Sequence, residues 1–430
     1  MTTICRDSVS DPALRGDPSF GTSRRWWLVC LLCVSLTMNF FVRGNLGVAA
    51  PVLVRQLHFS PWSLGLLISG FFWTYSVGQI AGGWLVDRVE VRSAYAAAFF
   101  VWSLATIGTG LMTSFAGIFC MRLLLGVGES VAYPAISKIL SATFPERRRG
   151  IANSIVDLGA RLGPALGTFA GATLVTGLGW RGLFLVSGSV CMLWLIPWKM
   201  VAPPIPPQPV IQRHERIGWK QLLTSRSVWG TVGGLCGANY AWYFLLSWLP
   251  SYLVNARHFS IHAMAIWGSA PYLFMAVTSL IAAQLSDWLI ANGRSPVVIR
   301  KRFLAAGLSG TAMFLPAVLL SNLSFALAAL FLSCIAFGVY ASNIFALTQT
   351  LAGPEAAGRW TGLQNAWGNV AGIVSAVATG WFVAKTGQYS IAFLAASGSS
   401  LLGAASFFFL VREKTSALSV RRPEEASVCL

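Results

Sequence analysis

Gly83-Trp-Leu-Val-Asp-Arg-Val-Glu-Val-Arg92 ends one long apolar run, and Ala283-Gln-Leu-Ser-Asp287 ends another far along the chain. A basic loop follows each. Phe144-Pro-Glu-Arg-Arg-Arg-Gly150 is mirrored in the same way by Gly353-Pro-Glu-Ala-Ala-Gly-Arg359. Corresponding loops at corresponding places mark an internal parallel repeat. Between the copies, Ala202-Pro-Pro-Ile-Pro-Pro-Gln-Pro209 runs into Arg213, His214, Glu215, Arg216 and Lys220, the longest polar interruption in the chain. It reads as a stiff linker joining two halves.

Outward from these loops, runs long enough to cross a hydrocarbon core recur from Trp26 to Val411. The 430 residues are 55% hydrophobic and only 10% charged, and 14 Asp and Glu are too few to cover a water-facing surface. Lipid must be the solvent. The pattern predicts an all-α integral membrane protein with twelve spans, at 26–54, 64–86, 93–112, 115–143, 151–175, 182–198, 227–254, 263–286, 303–320, 323–350, 361–384 and 389–411. The predicted organisation is a cytoplasmic tail (1–25), a six-helix half (26–198), a cytoplasmic linker (199–226), a second six-helix half (227–411) and a cytoplasmic tail (412–430). The first apolar run is too long for a signal peptide and stays as span 1.

The net charge of +17 raises nucleic acid as a partner, and its placement argues against it. Lys and Arg crowd the tails, the linker and alternate loops, whereas the other loops hold only Arg55, Arg181, Arg257 and Lys385. That is the positive-inside pattern, with both termini cytoplasmic, as in a multi-pass protein of the cytoplasmic membrane. Cys30 and Cys33 have no second Cys or His pair nearby and read as packing, so neither metal nor cofactor is expected.

Charge inside a span is expensive and points to function. The acids within spans are Glu129 and Asp157; the bases are Arg43, Arg122, Lys138 and Arg161, and no His lies in a span. Arg43 has no acid within a turn or two on its own helix. A guanidinium at that depth needs an anion, which is either the substrate or a neutralising partner such as Glu129. Arg122 and Glu129 stand seven residues apart, hence on one face about 10 Å from each other. Gly126 and Gly128 would admit another helix beside Glu129, making it a candidate proton carrier; a static ion pair is the plainer reading. Asp157 and Arg161, at i and i+4, can bridge along one face, with Gly159, Gly163, Pro164 and Gly167 loosening the helix around them. Lys138 is expected to snorkel. Tyr75 is a candidate hydrogen-bond donor to a hydroxylated ligand. Asn239, Tyr240, Ser342, Asn343, Gln364, Asn365 and Asn369 make the second half neutral and hydrogen-bonding, each either reading a ligand or gluing helices.

Gly83, Asp87, Arg88 and Arg92 fit the signature loop of the major facilitator superfamily, which the chain resembles, with Glu90 where that loop usually has glycine. The resemblance implies that fold and a gating role for Asp87, Arg88 and Arg92; Asp287 is the counterpart in the second half, and Arg161 joins the ion-pair set. Arg43-Gly-Asn-Leu-Gly-Val-Ala49, Arg122-Leu-Leu-Leu-Gly-Val-Gly-Glu129 and Trp248-Leu-Pro-Ser-Tyr-Leu253 resemble the anion:cation symporter family within it. That family carries sugar acids such as hexonates, hexuronates and glucarate, and includes the animal sialin and vesicular glutamate carriers. The resemblance implies that Arg43 grips a substrate carboxylate, that Glu129 carries a proton, and that Tyr75, Arg122, Ser342 and Asn365 line the site. Asn45, two residues after Arg43, joins the substrate-binding set, and Asp157 is the second proton candidate.

Bacterial sugar-acid members commonly have Asp before the span 1 arginine, whereas this chain has Val42. The expected function is secondary active transport of a small organic anion, in symport with protons, by a monomer whose site lies at the bilayer midplane. The alternatives are anion exchange or uniport without proton coupling and, in another class, a membrane ligand sensor that moves nothing. A phosphate-ester exchanger would want a deep arginine in span 7, which has none, and an enzyme would want a nucleophile–base pair or metal cluster that no span offers.

Overall fold

The computed structural model describes residues 22–144, 146–205 and 219–412; within these, the side chains of 22, 87, 146–151, 219 and 353–358 are not described. Most of both expected tails and the middle of the linker (206–218), with Cys5, His214 and Cys429, therefore lie outside the described residues.

The described chain is nearly all helix. In order come α1 (Thr22–Leu57), α2 (Pro61–Arg88), α3 (Val91–Leu111), α4 (Phe115–Ser130), α5 (Ala132–Thr143) and α6 (Glu146–Val201). After the linker follow α7 (Trp219–Thr224), α8 (Arg226–Ser251), α9 (Ile261–Ala291), α10 (Pro296–Gly310), α11 (Phe314–Leu319), α12 (Leu323–Ala341), α13 (Ile344–Thr386) and α14 (Ser390–Ala405). The starts are chemically marked: Ser114, Ser260 and Asn322 each accept a backbone N–H of the helix they open, satisfying donors that would otherwise be orphaned in lipid.

Ten stretches among the described residues are long and apolar enough to cross a membrane. The expected count is twelve; the α6 stretch, one of the ten, breaks at Gly179 with φ 71°, and α8, a helix of 26 residues, is not among them. Three predicted spans break within their length: 303–320 runs from α10 through a tight turn at Thr311–Met313 into α11. The stretch 115–143 breaks after Ser130, where α4 gives way to α5, and 323–350 breaks at Ser342 and Asn343, between α12 and α13.

Two compact units result. One holds the described residues up to Ala49 and from Trp73 to Ile205; the other holds Ala50–Phe72 and the described residues after the linker. Thus α1 and α2 are each shared between the units. In the first unit, Tyr95, Phe99, Trp102, Trp194 and Trp198 form an aromatic core, with Phe99 stacked on Trp194 at 4.1 Å. The Tyr95 hydroxyl meets Ser35 Oγ at 2.6 Å, and Trp194 donates to the Leu31 carbonyl, so the core also holds α1. Gly159, Gly163 and Gly167 present a bare stripe to α1: a Cβ on Gly159 would stand 2.4 Å from the Cys33 carbonyl, and one on Gly163 2.6 Å from Thr37 O. Sequence reading assigned these glycines to loosening the helix; they instead let two backbones touch.

In the second unit, α2 packs against α13 by the same device. A Cβ on Gly65 would lie 2.7 Å from the Ala376 carbonyl, and one on Gly380 2.6 Å from Pro61 O. Phe72 and Tyr243 meet edge to face at 4.4 Å beside Gly372. The buried amides of this unit are cross-linked: Gln364 donates to Thr231 O and accepts from Thr348, and Trp360 Nε1 donates to Thr231 Oγ1.

Candidate functional site

The first unit buries two guanidiniums and one carboxylate together. Arg43, on α1, donates from Nε (3.1 Å) and Nη2 (2.8 Å) to the same oxygen of Glu129, Oε2, and from Nη2 to Asn39 Oδ1 at 3.0 Å. The ring of Phe40 lies 4.5 Å from the guanidinium carbon and that of Tyr75 4.7 Å, so both flank the cation. Glu129 is fully buried, while Arg43 and Arg122 are 5% and 2% exposed. Arg122 interacts electrostatically with both. Among the described residues the cluster therefore carries one surplus positive charge.

The way Glu129 is held matters for its chemistry. Arg43 does not straddle the carboxylate but loads both bonds onto Oε2; Oε1 is buried with no hydrogen-bond partner among the described residues, as is Nδ2 of Asn39. Glu129 reaches this place because Gly128 sits against α3, where a Cβ would stand 2.8 Å from Trp102 N. The helix break after Ser130 follows at once.

Not every residue proposed from the sequence joins this cluster. Tyr75 and Arg122 do. Asn45 points elsewhere, donating to Ser187 Oγ at 2.9 Å and so tying α1 to α6. Asp157 and Arg161 form their own pair on α6 at 3.2 Å, with the aspartate side chain half exposed. Lys138, rather than only snorkelling, donates to the Val86 carbonyl at the end of α2. Asn39 was missed as a partner of Arg43, although its i, i+4 spacing was a readable signal.

Ser342 and Asn365 belong to the second unit. Ser342 is committed: its Oγ donates to Val339 O and accepts from Asn343 Nδ2. Asn343 accepts from Ser286, and Asn369 from Tyr243. Asn365, half-buried on α13, makes no hydrogen bond among the described residues, and neither does Asn239 on α8. The Asn239 amide lies against Gly368, one turn from Asn365, so the two open amides share the seam between α8 and α13.

In the signature loop, the Asp87 side chain lies outside the described residues. Arg88 stacks on Trp84 at 4.0 Å, and Arg92 donates to the Lys199 carbonyl. Glu90 caps α3 by accepting from the N–H groups of Arg92 and Ser93 and from Ser93 Oγ, and it also accepts from Ile205 N at 3.1 Å. Burial pushes its carboxyl up, but the hydrogen bonds from Ser93, Ile205 and Arg92 outweigh that and hold it below the usual carboxylate range. Asp287 faces Arg300 at 3.9 Å and is largely exposed, a contact of little energetic weight. Arg300 itself reaches Ala346 O and Thr350 on α13, a role the sequence did not signal.

Residues 32–375 match the Major Facilitator Superfamily, and the chain belongs to it. It is therefore a membrane transporter and not an enzyme. It is 28% identical to the "Probable galactarate/D-glucarate transporter GudP" of Escherichia coli (strain K12), with 91% of this chain and 94% of that protein covered. It is also 28% identical to the "Probable sulfoacetate transporter SauU" of Cupriavidus necator, over 93% of this chain and 96% of that one. Among solved structures it is similar to a bacterial homolog of the human lysosomal transporter Spinster, with a TM-score of 0.76 and 17% identity over 92% of this chain and 99% of the other. That likeness concerns the fold.

Proposed function

We propose that this chain moves a small organic anion, a sugar acid or similar carboxylate, in symport with protons by alternating access. The observation that carries the reading is the buried Arg43–Glu129 pair beside Arg122, a cation-rich cluster in which one carboxylate is held by one oxygen. An incoming carboxylate competes with Glu129 for the fork of Arg43. Once displaced, a buried glutamate avoids an uncompensated charge by taking a proton, and Oε1, which gives up no hydrogen bond, is the open place for it. Anion and proton then enter together, and Glu129 reclaims Arg43 when the anion leaves. Relatives named for galactarate, D-glucarate and sulfoacetate support the anionic cargo.

On this reading Arg43, Tyr75 and Arg122 bind the acid group, Asn365 reads hydroxyls, and Glu129 rather than Asp157 carries the proton, since Asp157 keeps a partner on its own helix. The protein works as a monomer in the cytoplasmic membrane with both termini inside. A second reading, anion exchange or uniport, is favoured by Val42, a buried apolar side chain where a second acid would stand.

Proteoliposomes decide between them. With radiolabelled D-glucarate, the wild type is expected to accumulate substrate when an inward proton gradient is the sole driving force. Glu129→Gln is expected to lose that accumulation and keep counterflow. Accumulation by Glu129→Gln would overturn the proton role, and proton-independent uptake by the wild type would favour the second reading.

A further inference from the structure

A cleft of about 330 Å³ opens in the second unit at the ends of α8, α11 and α13, lined by Tyr252, Arg257, Val318, Gln388, Tyr389 and Ser390 among others. It lies at the end of this half opposite its basic loops, where Arg257 and Lys385 are the only Lys or Arg residues.

The electrostatics of the cleft are one-sided. Arg257 donates from Nε to Tyr252 Oη at 2.6 Å and from Nη2 to the carbonyls of Ala317, Val318 and Leu320. All these partners are neutral, and no carboxylate comes within ion-pair distance of Arg257 among the described residues. Its Nη1 donors make no hydrogen bond there. These four neutral partners leave the full positive charge uncancelled, unlike Arg43, Arg161 and Arg300, which each face an acid. The rim adds to it. Helix α14 begins at Ser390 with no side-chain cap, and both Ser390 and the N-cap residue Tyr389 line the cleft, so the positive end of the helix dipole lies at its rim. Lys385 is exposed in the last turn of α13, two residues before the Gly387 turn that also lines the cleft.

We infer that this cleft binds an oxyanion, a carboxylate or phosphate group, through the Arg257 guanidinium and the α14 start, as a site separate from the buried Arg43 cluster. A fixed arginine with its carbonyl-held half oriented and its other edge open is preorganised for that chemistry. The anion is either free in solution, gathered next to the transporter by the local field, or the phosphate of a lipid headgroup.

Titration calorimetry on the full-length protein in lipid-free detergent tests this, with inorganic phosphate as probe. The wild type is expected to bind phosphate, Arg257→Gln to bind it about tenfold more weakly or worse, and Arg43→Lys to bind it normally. Because Arg257 also pins α11, Ser390→Asp is the second variant: a carboxylate at the first position of α14 suits the helix dipole, and so the fold, but repels the anion. Loss of binding in a folded Ser390→Asp supports the site even if Arg257→Gln proves unstable. Competition by dioctanoyl-phosphatidylglycerol at lower concentration than phosphate assigns the site to a lipid headgroup, and its failure to compete assigns it to a free anion. Absence of phosphate binding by the wild type at tens of millimolar, or unchanged binding in both variants, overturns the inference.

Discussion

Arg43 does its work with a planar fork, and its surroundings are cut to that shape: one carboxylate oxygen, one amide oxygen and two aromatic rings. Lysine would keep the charge and lose the geometry. Arg43→Lys is therefore expected to weaken carboxylate binding by roughly tenfold or more, about 1.4 kcal/mol, measured by thermal shift against D-glucarate. The adjacent amides Gln364 and Asn365 make a sharper contrast. Gln364 is buried in a bonded network, so Gln364→Ala should cost about 1–3 kcal/mol of stability. Asn365→Ala should leave the melting temperature unchanged and weaken a hydroxylated substrate more than its deoxy analogue. Equal weakening of the two ligands would remove Asn365 from the recognition set. The sequence presented these two residues as equivalent candidates, since both lie at one depth in one helix. Which is spent on a neighbour depends on how α13 is rotated against α8, and that is settled by packing partners distant in the chain.

At the scale of elements, the start of α3 shows what a departure from a family pattern can do. Glu90, standing where glycine is usual, closes α3 and ties it to Ile205 at the start of the linker. Its carboxyl titrates below the ordinary carboxylate range, so the folded state prefers the ionised form. The sign follows: the contribution is present above the unfolded pKa, near 4.5, and is lost as pH falls through the lower folded value. Melting temperatures of wild type and Glu90→Gln should differ at neutral pH and converge in acid; a gap that widens in acid would refute the cap. Helix breaks were the least legible elements. The interruptions after Ser130 and at Ser342–Asn343 fall in apolar stretches with no Gly or Pro at the break itself, so hydropathy reads straight through them. The Gly159, Gly163 and Gly167 stripe was visible as spacing, but spacing alone does not distinguish a soft helix from one pressed against a neighbour.

Across the whole molecule, class and fold were open to reading because lipid imposes them everywhere. Apolar length sets the spans, whereas the repeated loops gave no sign that Ala50–Phe72 would fall in the second unit. The identity of the charged site was partly open too, since buried charges are few; that Arg43 meets Glu129 was one of two readings left standing, because the residues lie on different helices. Membrane orientation has its own check. A single cysteine placed by Gln388→Cys in a cysteine-free background should react with an impermeant maleimide in intact cells, and labelling only after permeabilisation would reverse the topology.

Gly65 and Gly380 carry no charge, no hydrogen-bonding side chain and no chemistry, yet each leaves less than the thickness of a methyl group between α2 and α13. Their intolerance would be purely steric. In a saturation library scored by transport, every allele at either codon should fail, from alanine upward, and the two positions would rank beside Arg43. Purified Gly380→Ala would tell the classes apart: it should still bind the anion that Arg43→Lys releases. Genetic essentiality in this protein will therefore overstate the ligand site, with close backbone contacts supplying the excess.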